Sequence, residues 1–277
     1  MSNAPTSKQA LKYGRTGLLL VSAMIALSSV AAVCVTSGGI ITVRSDTVEI
    51  TNDALIEVDA DVATINVTAI NGTQLEVEAQ LFNAERINYF IAPTGGVPAT
   101  NVKIHALIEK DLRLRAKAVI DIGAPPVASI IIRSGLGNVT VFGTRQGTVT
   151  VLTDNGQITV TGPAASYDLE TTNGNIKGID LAGPIRAKTR NGSINVDVDL
   201  PPDSTSTMET RIGDVNITLP VGVSVDVFGT VKIGRIEAPE FATIGEAGHE
   251  VKGVLNGGDA ELYMQLNNGT IRLKIAP

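Results

Sequence analysis

One short signature recurs through the second half of this chain: a glycine, a polar residue, then alternating aliphatic and polar residues. It reads Gly137-Asn138-Val139-Thr140-Val141, Gly156-Gln157-Ile158-Thr159-Val160, Gly174-Asn175-Ile176-Lys177, Gly192-Ser193-Ile194-Asn195-Val196 and Gly213-Asp214-Val215-Asn216-Ile217. A late copy stands at Gly269-Thr270-Ile271-Arg272-Leu273, and the first five glycines are 19, 18, 18 and 21 residues apart. A unit this short cannot enclose a core of its own. Identical units must therefore stack, each burying its apolar face against the next, which predicts a solenoid.

A second strand precedes each glycine at the same spacing: Val149-Thr150-Val151, Tyr167-Asp168-Leu169-Glu170-Thr171, Ile185-Arg186-Ala187-Lys188-Thr189 and Met208-Glu209-Thr210. Its period of two places one apolar and one polar face on each strand. The corners fall at Asn155-Gly156, Asn173-Gly174, Asn191-Gly192, Gly213 and Asn268-Gly269, where Asn and Gly tolerate turn conformations that other residues resist. In a coil, equivalent residues stack in register about 4.8 Å apart. Val139, Ile158, Ile176, Ile194 and Val215 then form one inner wall beside Val141, Val160, Val196 and Ile217, and Val151, Leu169, Ala187 and Met208 form a second. Outside, Asp168 stacks on Arg186, and Glu170 on Lys188 on Glu209, alternating charge sign from rung to rung. The expected fold is all-β, a right-handed single-stranded parallel β-helix. Residues 40–133 carry the same alternation less regularly, and about a dozen coils would account for the chain at roughly 18–20 residues each. The final residues 275–277 would shield the last coil and the N-terminal segment the first.

A narrow aliphatic interior explains why aromatic residues are only 3 % of this chain of 277, with no Trp. The formal net charge of −6 argues against nucleic acid as a partner. One Cys and two His leave little from which to build a zinc site or a Cys/His catalytic pair.

The charges are unevenly placed. Lys8, Lys12 and Arg15 precede a run without charged residues that lasts to Arg44, and residues 17–35 within it are apolar or small. That length suits a membrane-spanning helix behind a basic cytoplasmic end. Three readings are open: a retained anchor, a signal peptide cleaved after the small residues 29–31, or a lipoprotein modified at Cys34. The organisation read from the sequence is a basic N-terminus over 1–16, a transmembrane anchor or signal segment over 17–37, and a β-solenoid domain over 38–277.

Candidate chemistry is sparse. Six Asn-x-Ser/Thr sites (Asn66, Asn71, Asn138, Asn191, Asn216 and Asn268) are read as repeated turn grammar ahead of glycosylation acceptors. Two groups of acids, Asp53, Glu57, Asp59 and Asp61, then Asp197, Asp199 and Asp203, invite calcium or glycan-hydrolysis readings. Polar-out alternation produces such rows unaided. His105 and His249 are 144 residues apart and read as ordinary surface residues. No residue is assigned as catalytic, cofactor-binding or metal-ligating, and no cofactor is expected.

The succession Thr-x-Asn-Gly-x-Ile at 153–158, 171–176 and 189–194, the run 213–220 and the closing 268–273 together resemble the bacterial putative-adhesin family of right-handed β-helix domains of unknown function. The resemblance covers about residues 45–277 and implies an extracytoplasmic domain, often tethered by one N-terminal helix. It brings no catalytic residues. The favoured function is a non-enzymatic, membrane-tethered module that binds a glycan or an envelope protein. A scaffold or sensor of envelope stress, and a polysaccharide-active β-helix enzyme, are the alternatives. The expected location is membrane-anchored and extracytoplasmic, or secreted if the N-terminal segment is cleaved.

Overall fold

Strands alternate with corners through the whole computed structural model, which describes residues 27–36, 39–108, 116–143, 145–241, 243–244 and 248–276. The regular middle is built from ten strands. Five of them, β7 (Ser129–Leu136), β9 (Thr148–Asn155), β11 (Ser166–Asn173), β13 (Ile185–Asn191) and β15 (Thr205–Ile212), pair in parallel as one sheet. The other five, β8 (Val139–Phe142), β10 (Ile158–Thr161), β12 (Ile176–Ala182), β14 (Ile194–Asp199) and β16 (Val215–Leu219), pair in parallel as a second. Each rung is one strand of the first sheet, a glycine corner, and one strand of the second. The inward side chains of both sheets share a single core. Val139, Ile158, Ile176, Ile194 and Val215 are fully buried in it, as are Val151, Leu169, Ala187 and Met208. Both inner walls thus stand where the periodicity places them.

The ends depart from a simple stack. Upstream lie β1 (Leu27–Thr36), β2 (Gly39–Ala69), β3 (Gln74–Phe82), β4 (Ile87–Thr94), β5 (Ala99–Ile108) and β6 (Lys117–Ala124). Downstream lie β17 (Val225–Glu237), β18 (Thr243–Ile244), β19 (Glu250–Leu255) and β20 (Ala260–Ile275). The long strands β2, β17 and β20 each run through both sheets. β2 lies between the rung of β5 and β6 and the rung of β7 and β8. β20 is likewise inserted between the rung of β15 and β16 and the outermost rung, β17. Antiparallel strands then cover the ends: β4 on β5, β3 on β6 and β2, and β19 on β17. A stack whose terminal rungs are clamped from outside leaves less open edge for another chain to pair with.

Three expectations are corrected here. Among the described residues there are nine parallel rungs, not about a dozen, because the antiparallel covers consume sequence without adding rungs. The covers and the out-of-order rungs β5/β6 and β17 close the stack, whereas Ile275 and Ala276 lie beside Leu219 of β16 and not over an end; residues 1–26, expected over the first coil, lie outside the described residues. The anticipated helix over 17–37 is also not formed by residues 27–36, which are strand β1, antiparallel to residues 39–48. The reason is compositional: Val30, Val33, Cys34 and Val35 are as apt for a strand as for a helix, and an apolar run has no period by which to choose. Residues 17–26 lie outside the described residues. Among those described, no helix is long and apolar enough to cross a membrane, and helical backbone is confined to short 3₁₀ stretches such as Ala84–Arg86.

Candidate functional site

The corner between the two sheets is where the sequence is least free. A Cβ on Gly174 would overlap the carbonyl oxygen of Gly156, one on Gly192 the carbonyl of Gly174, and one on Gly213 the carbonyl of Gly192. Glycine stands there because successive backbones pass too close for any side chain. Beside this column the asparagines link rung to rung: Asn173 Nδ2 donates to Asn155 Oδ1 at 2.9 Å, and Asn191 Nδ2 to Asn173 Oδ1 at 2.7 Å. Ile212, half exposed, interrupts that ladder before Asn268.

A buried hydroxyl column lies just inside. Thr171, Thr189 and Thr210 donate from Oγ1 to the carbonyls of Gly156, Gly174 and Gly192 at 3.2, 3.0 and 3.0 Å. These bonds tie the first sheet to the glycine corner of the neighbouring rung. Thr153 and Ser134 occupy the same column, but their hydroxyls have no partner among the described residues.

The outer face of the first sheet carries the charges. Asp168 meets Arg186 at 2.7 Å, Arg186 also reaches Glu170 at 3.6 Å, and Lys188 meets Glu209 at 3.7 Å, following the alternation in the sequence. Toward β5, Glu57 accepts from Asn101 at 3.0 Å and sits near Lys103 and Arg133. The Asn101 amide, with help from both cations, holds the Glu57 carboxyl below the usual range. Asp59 lies 3.6 Å from Arg133 and 3.9 Å from His105, whose ring stacks on Phe90 at 4.4 Å. Asp61 accepts the Ile108 amide at 2.8 Å.

Two clefts open on this face. One, of about 480 Å³, is lined by Asp59, Asp61, Arg133, Asp154 and the rim residues Glu170 and Thr172, among others. The other, of about 390 Å³, is lined by Glu170, Thr172, Lys188, Arg190, Glu209, Arg211, Gln265 and Asn267, among others. Because Glu170 and Thr172 line both, the two clefts lie side by side across the rungs beside the Asn column, and together they are called the furrow.

The structure thus brings Glu57, Asp59 and Asp61 to the furrow or its margin, together with His105. It leaves the remaining candidates elsewhere. Asp197 and Asp199 are exposed on the second sheet, Asp203 is in a turn, Asp53 lies earlier on β2, and His249 is near the start of β19. Among the described residues no three His, Cys, Asp or Glu side chains are grouped to hold a metal ion. Of the Asn-x-Ser/Thr sites, Asn138 and Asn191 are at corners, whereas Asn66 and Asn216 are within strands, bonded to Asp121 and Asn195 at 2.7 and 2.6 Å. For those two the turn reading is corrected: they are rungs of side-chain ladders. Sequence reading passed over Arg190, Arg211 and Thr172, which line the furrow. Their signal was present in the Thr-x-Asn-Gly spacing, since x is the outward residue beside each corner.

A search of curated proteins found no match. Several solved structures align over most of their length. One described as a putative adhesin from Bacteroides fragilis shares 12 % identity over 83 % of this chain and 96 % of its own, with a TM-score of 0.44. One described as a putative lipid binding protein from Parabacteroides distasonis shares 10 % identity over 86 % and 97 %, with a TM-score of 0.41. A putative cell adhesion protein from Clostridium sporogenes shares 10 % over 90 % and 100 %, with a TM-score of 0.31. The Toastrack DUF4097 family model matches residues 120–274, from β6 through nearly all of β20. With more than half of its length so matched, the chain belongs to the Toastrack DUF4097 family.

Proposed function

We propose that this chain is a non-enzymatic, extracytoplasmic binding module of the cell envelope that holds an extended polar partner, a glycan or a protein segment, in the furrow of its first sheet. The observation that carries the reading is the adjacency of two clefts, both lined by Glu170 and Thr172, across successive rungs. Ladders of Thr, Asn and charged groups repeat there at the rung spacing of about 4.8 Å, offering a linear polymer the same contacts again and again. A binding role is favoured over catalysis by the state of the charges. Asp168, Glu170 and Glu209 are each held by a cation of a neighbouring rung, a poor arrangement for proton transfer. We take the coil as right-handed, because parallel crossovers are right-handed in nearly all cases.

Export rests on Lys8, Lys12 and Arg15 followed by apolar residues. Even with residues 27–36 in a strand, the apolar run before them falls within the ~7–15 residues of a signal segment. Two experiments test the reading. Thr172→Trp in the full chain places a large ring at the boundary the two clefts share and should abolish binding to purified envelope polysaccharide or to an envelope protein partner. Asn195→Trp, on the second sheet, should not. Equal binding by the two variants would remove the furrow from consideration. Protease shaving of intact cells, with fractionation and mass determination of the N-terminus, tests location: a protected cytoplasmic protein overturns it.

A further inference from the structure

Along the outward column that lines the furrow, charge is segregated instead of alternating. The residues between the buried hydroxyls and the corner are Asp154 on β9, Thr172 on β11, Arg190 on β13 and Arg211 on β15. Asn267 on β20 and Lys232 on β17 continue the column. One end is acidic and the other basic. Arg190 and Arg211 occupy adjacent rungs, flanked by the register pairs Thr189 with Thr210 and Asn191 with Ile212. Both are exposed, and among the described residues neither meets a carboxylate.

Two like charges stacked on neighbouring strands repel, and the adjacent columns of this sheet avoid that arrangement by alternating sign. The acids of the basic cleft offer no relief. Glu209 is held by Lys188 and Glu170 by Arg186. An arginine pair left without counter-ions in a chain of net charge −6 is not explained by solubility or by stability. Guanidinium groups side by side are the donors suited to planar, bidentate recognition of carboxylate, sulfate or phosphate.

We infer that the basic half of the furrow is an anion-recognition site for an acidic polysaccharide, with Arg190 and Arg211 each engaging a charged group of successive sugars. The inference rests on the furrow reading above and names its ligand class. Thr172, Gln265 and Asn267 supply the neutral donors and acceptors for sugar hydroxyls. The acidic half, where Asp59, Asp61 and Asp154 face the cleft, repels the same polymer and so fixes where it stops. A linear, recessed site spanning several rungs favours a polymer over a flat anionic bilayer.

The test is binding of polygalacturonate, and of neutral dextran of matched length, to the full chain and to Arg190→Glu/Arg211→Glu. Both positions are exposed, and a thermal melt of each variant verifies the fold. Polygalacturonate affinity should fall on the order of tenfold or more in the double variant, and should weaken with added salt in the native chain. Lys177→Glu, on the second sheet, should leave it unchanged. Equal affinity in native and double-variant protein, or an equal loss in Lys177→Glu, overturns the inference. Native protein that binds dextran and polygalacturonate alike, both lost in Thr172→Trp, keeps the furrow and overturns its anionic preference. Binding of neither polymer overturns the glycan class for this furrow and leaves only its protein-segment reading. Phosphatidylglycerol vesicles captured through Arg190 and Arg211, with polygalacturonate ignored, would make the ligand a membrane and overturn the polysaccharide.

Discussion

Replacing Gly174 by alanine tests the solenoid register at its tightest point. The new methyl group would fall on the Gly156 carbonyl, a backbone atom of the neighbouring rung that cannot swing aside, with Thr171 Oγ1 a further 3.2 Å contact. Relief requires the two rungs to part at the corner. Two hydrogen bonds join those rungs there, Gly156 N–H to the Asn173 carbonyl at 3.0 Å and the Thr171 hydroxyl to the Gly156 carbonyl at 3.2 Å, and a third, Gly174 N–H to the Asn191 carbonyl at 3.0 Å, ties the displaced corner to the rung beyond. At about 1 kcal/mol net for each, with roughly another 1 kcal/mol of residual distortion, the substitution should cost about 3–5 kcal/mol. For a chain of this size that is a fall of roughly 10 °C in Tm. The control is Glu170→Gln, a half-exposed ladder charge, which should change stability by no more than about 0.5 kcal/mol. Circular dichroism melts of both variants decide the matter, and hydrogen exchange should place the loss at the corners of β11 and its neighbours. The double change Asn173→Val/Gly174→Val should be worse still. A Gly174→Ala melt within about 2 °C of native protein would refute the close-approach argument.

Other consequences follow from buried polar groups. Thr189→Val removes the bond to the Gly174 carbonyl and should cost about 1 kcal/mol, whereas Thr153→Val, whose hydroxyl has no partner among the described residues, should be neutral or stabilising by denaturant titration. Arg145 is buried, its guanidinium makes one hydrogen bond among the described residues, to the Pro125 carbonyl at 3.4 Å, and burial pulls it down to about 10. Arg145→Met should therefore raise stability by about 1–2 kcal/mol. Asp46 is buried beside the Tyr89 hydroxyl, and desolvation raises its carboxyl above the usual range. The folded state then holds a proton that the unfolded state has released, so stability falls as pH rises from the unfolded carboxylate value through the folded one. Asp46→Asn keeps an acceptor for Tyr89, and melts across pH 3–7 should show that decline flattened; an unchanged pH profile would contradict the assignment.

The reach of sequence reading can be judged element by element. The period of about 18–21 residues, the alternation within strands and the Gly corners located β7 to β16 and both inner walls, because each is written in local side-chain chemistry. Asp168 on Arg186 and Lys188 on Glu209 were legible for the same reason: once the repeat is aligned, a parallel register follows without further information. The apolar residues 27–36 were not legible, since a run without period suits strand and helix equally. The furrow was only half visible. Glu57, Asp59 and Asp61 drew notice as a row of acids, but Arg190 and Arg211 look unremarkable until stacking places them on adjacent rungs.

What the sequence determined by itself is therefore the unit: its length, its two strands, its buried aliphatic face and the glycine where backbones nearly touch. These depend on residues within one period and on an identical neighbour. The tertiary structure alone decided the order of the units. β2 is clamped between β5/β6 and β7/β8, and β20 between β15/β16 and β17. A strand's alternation says which face it buries but not which rung it lies beside, and that choice is made by closing two open ends with whatever later or earlier chain can reach them.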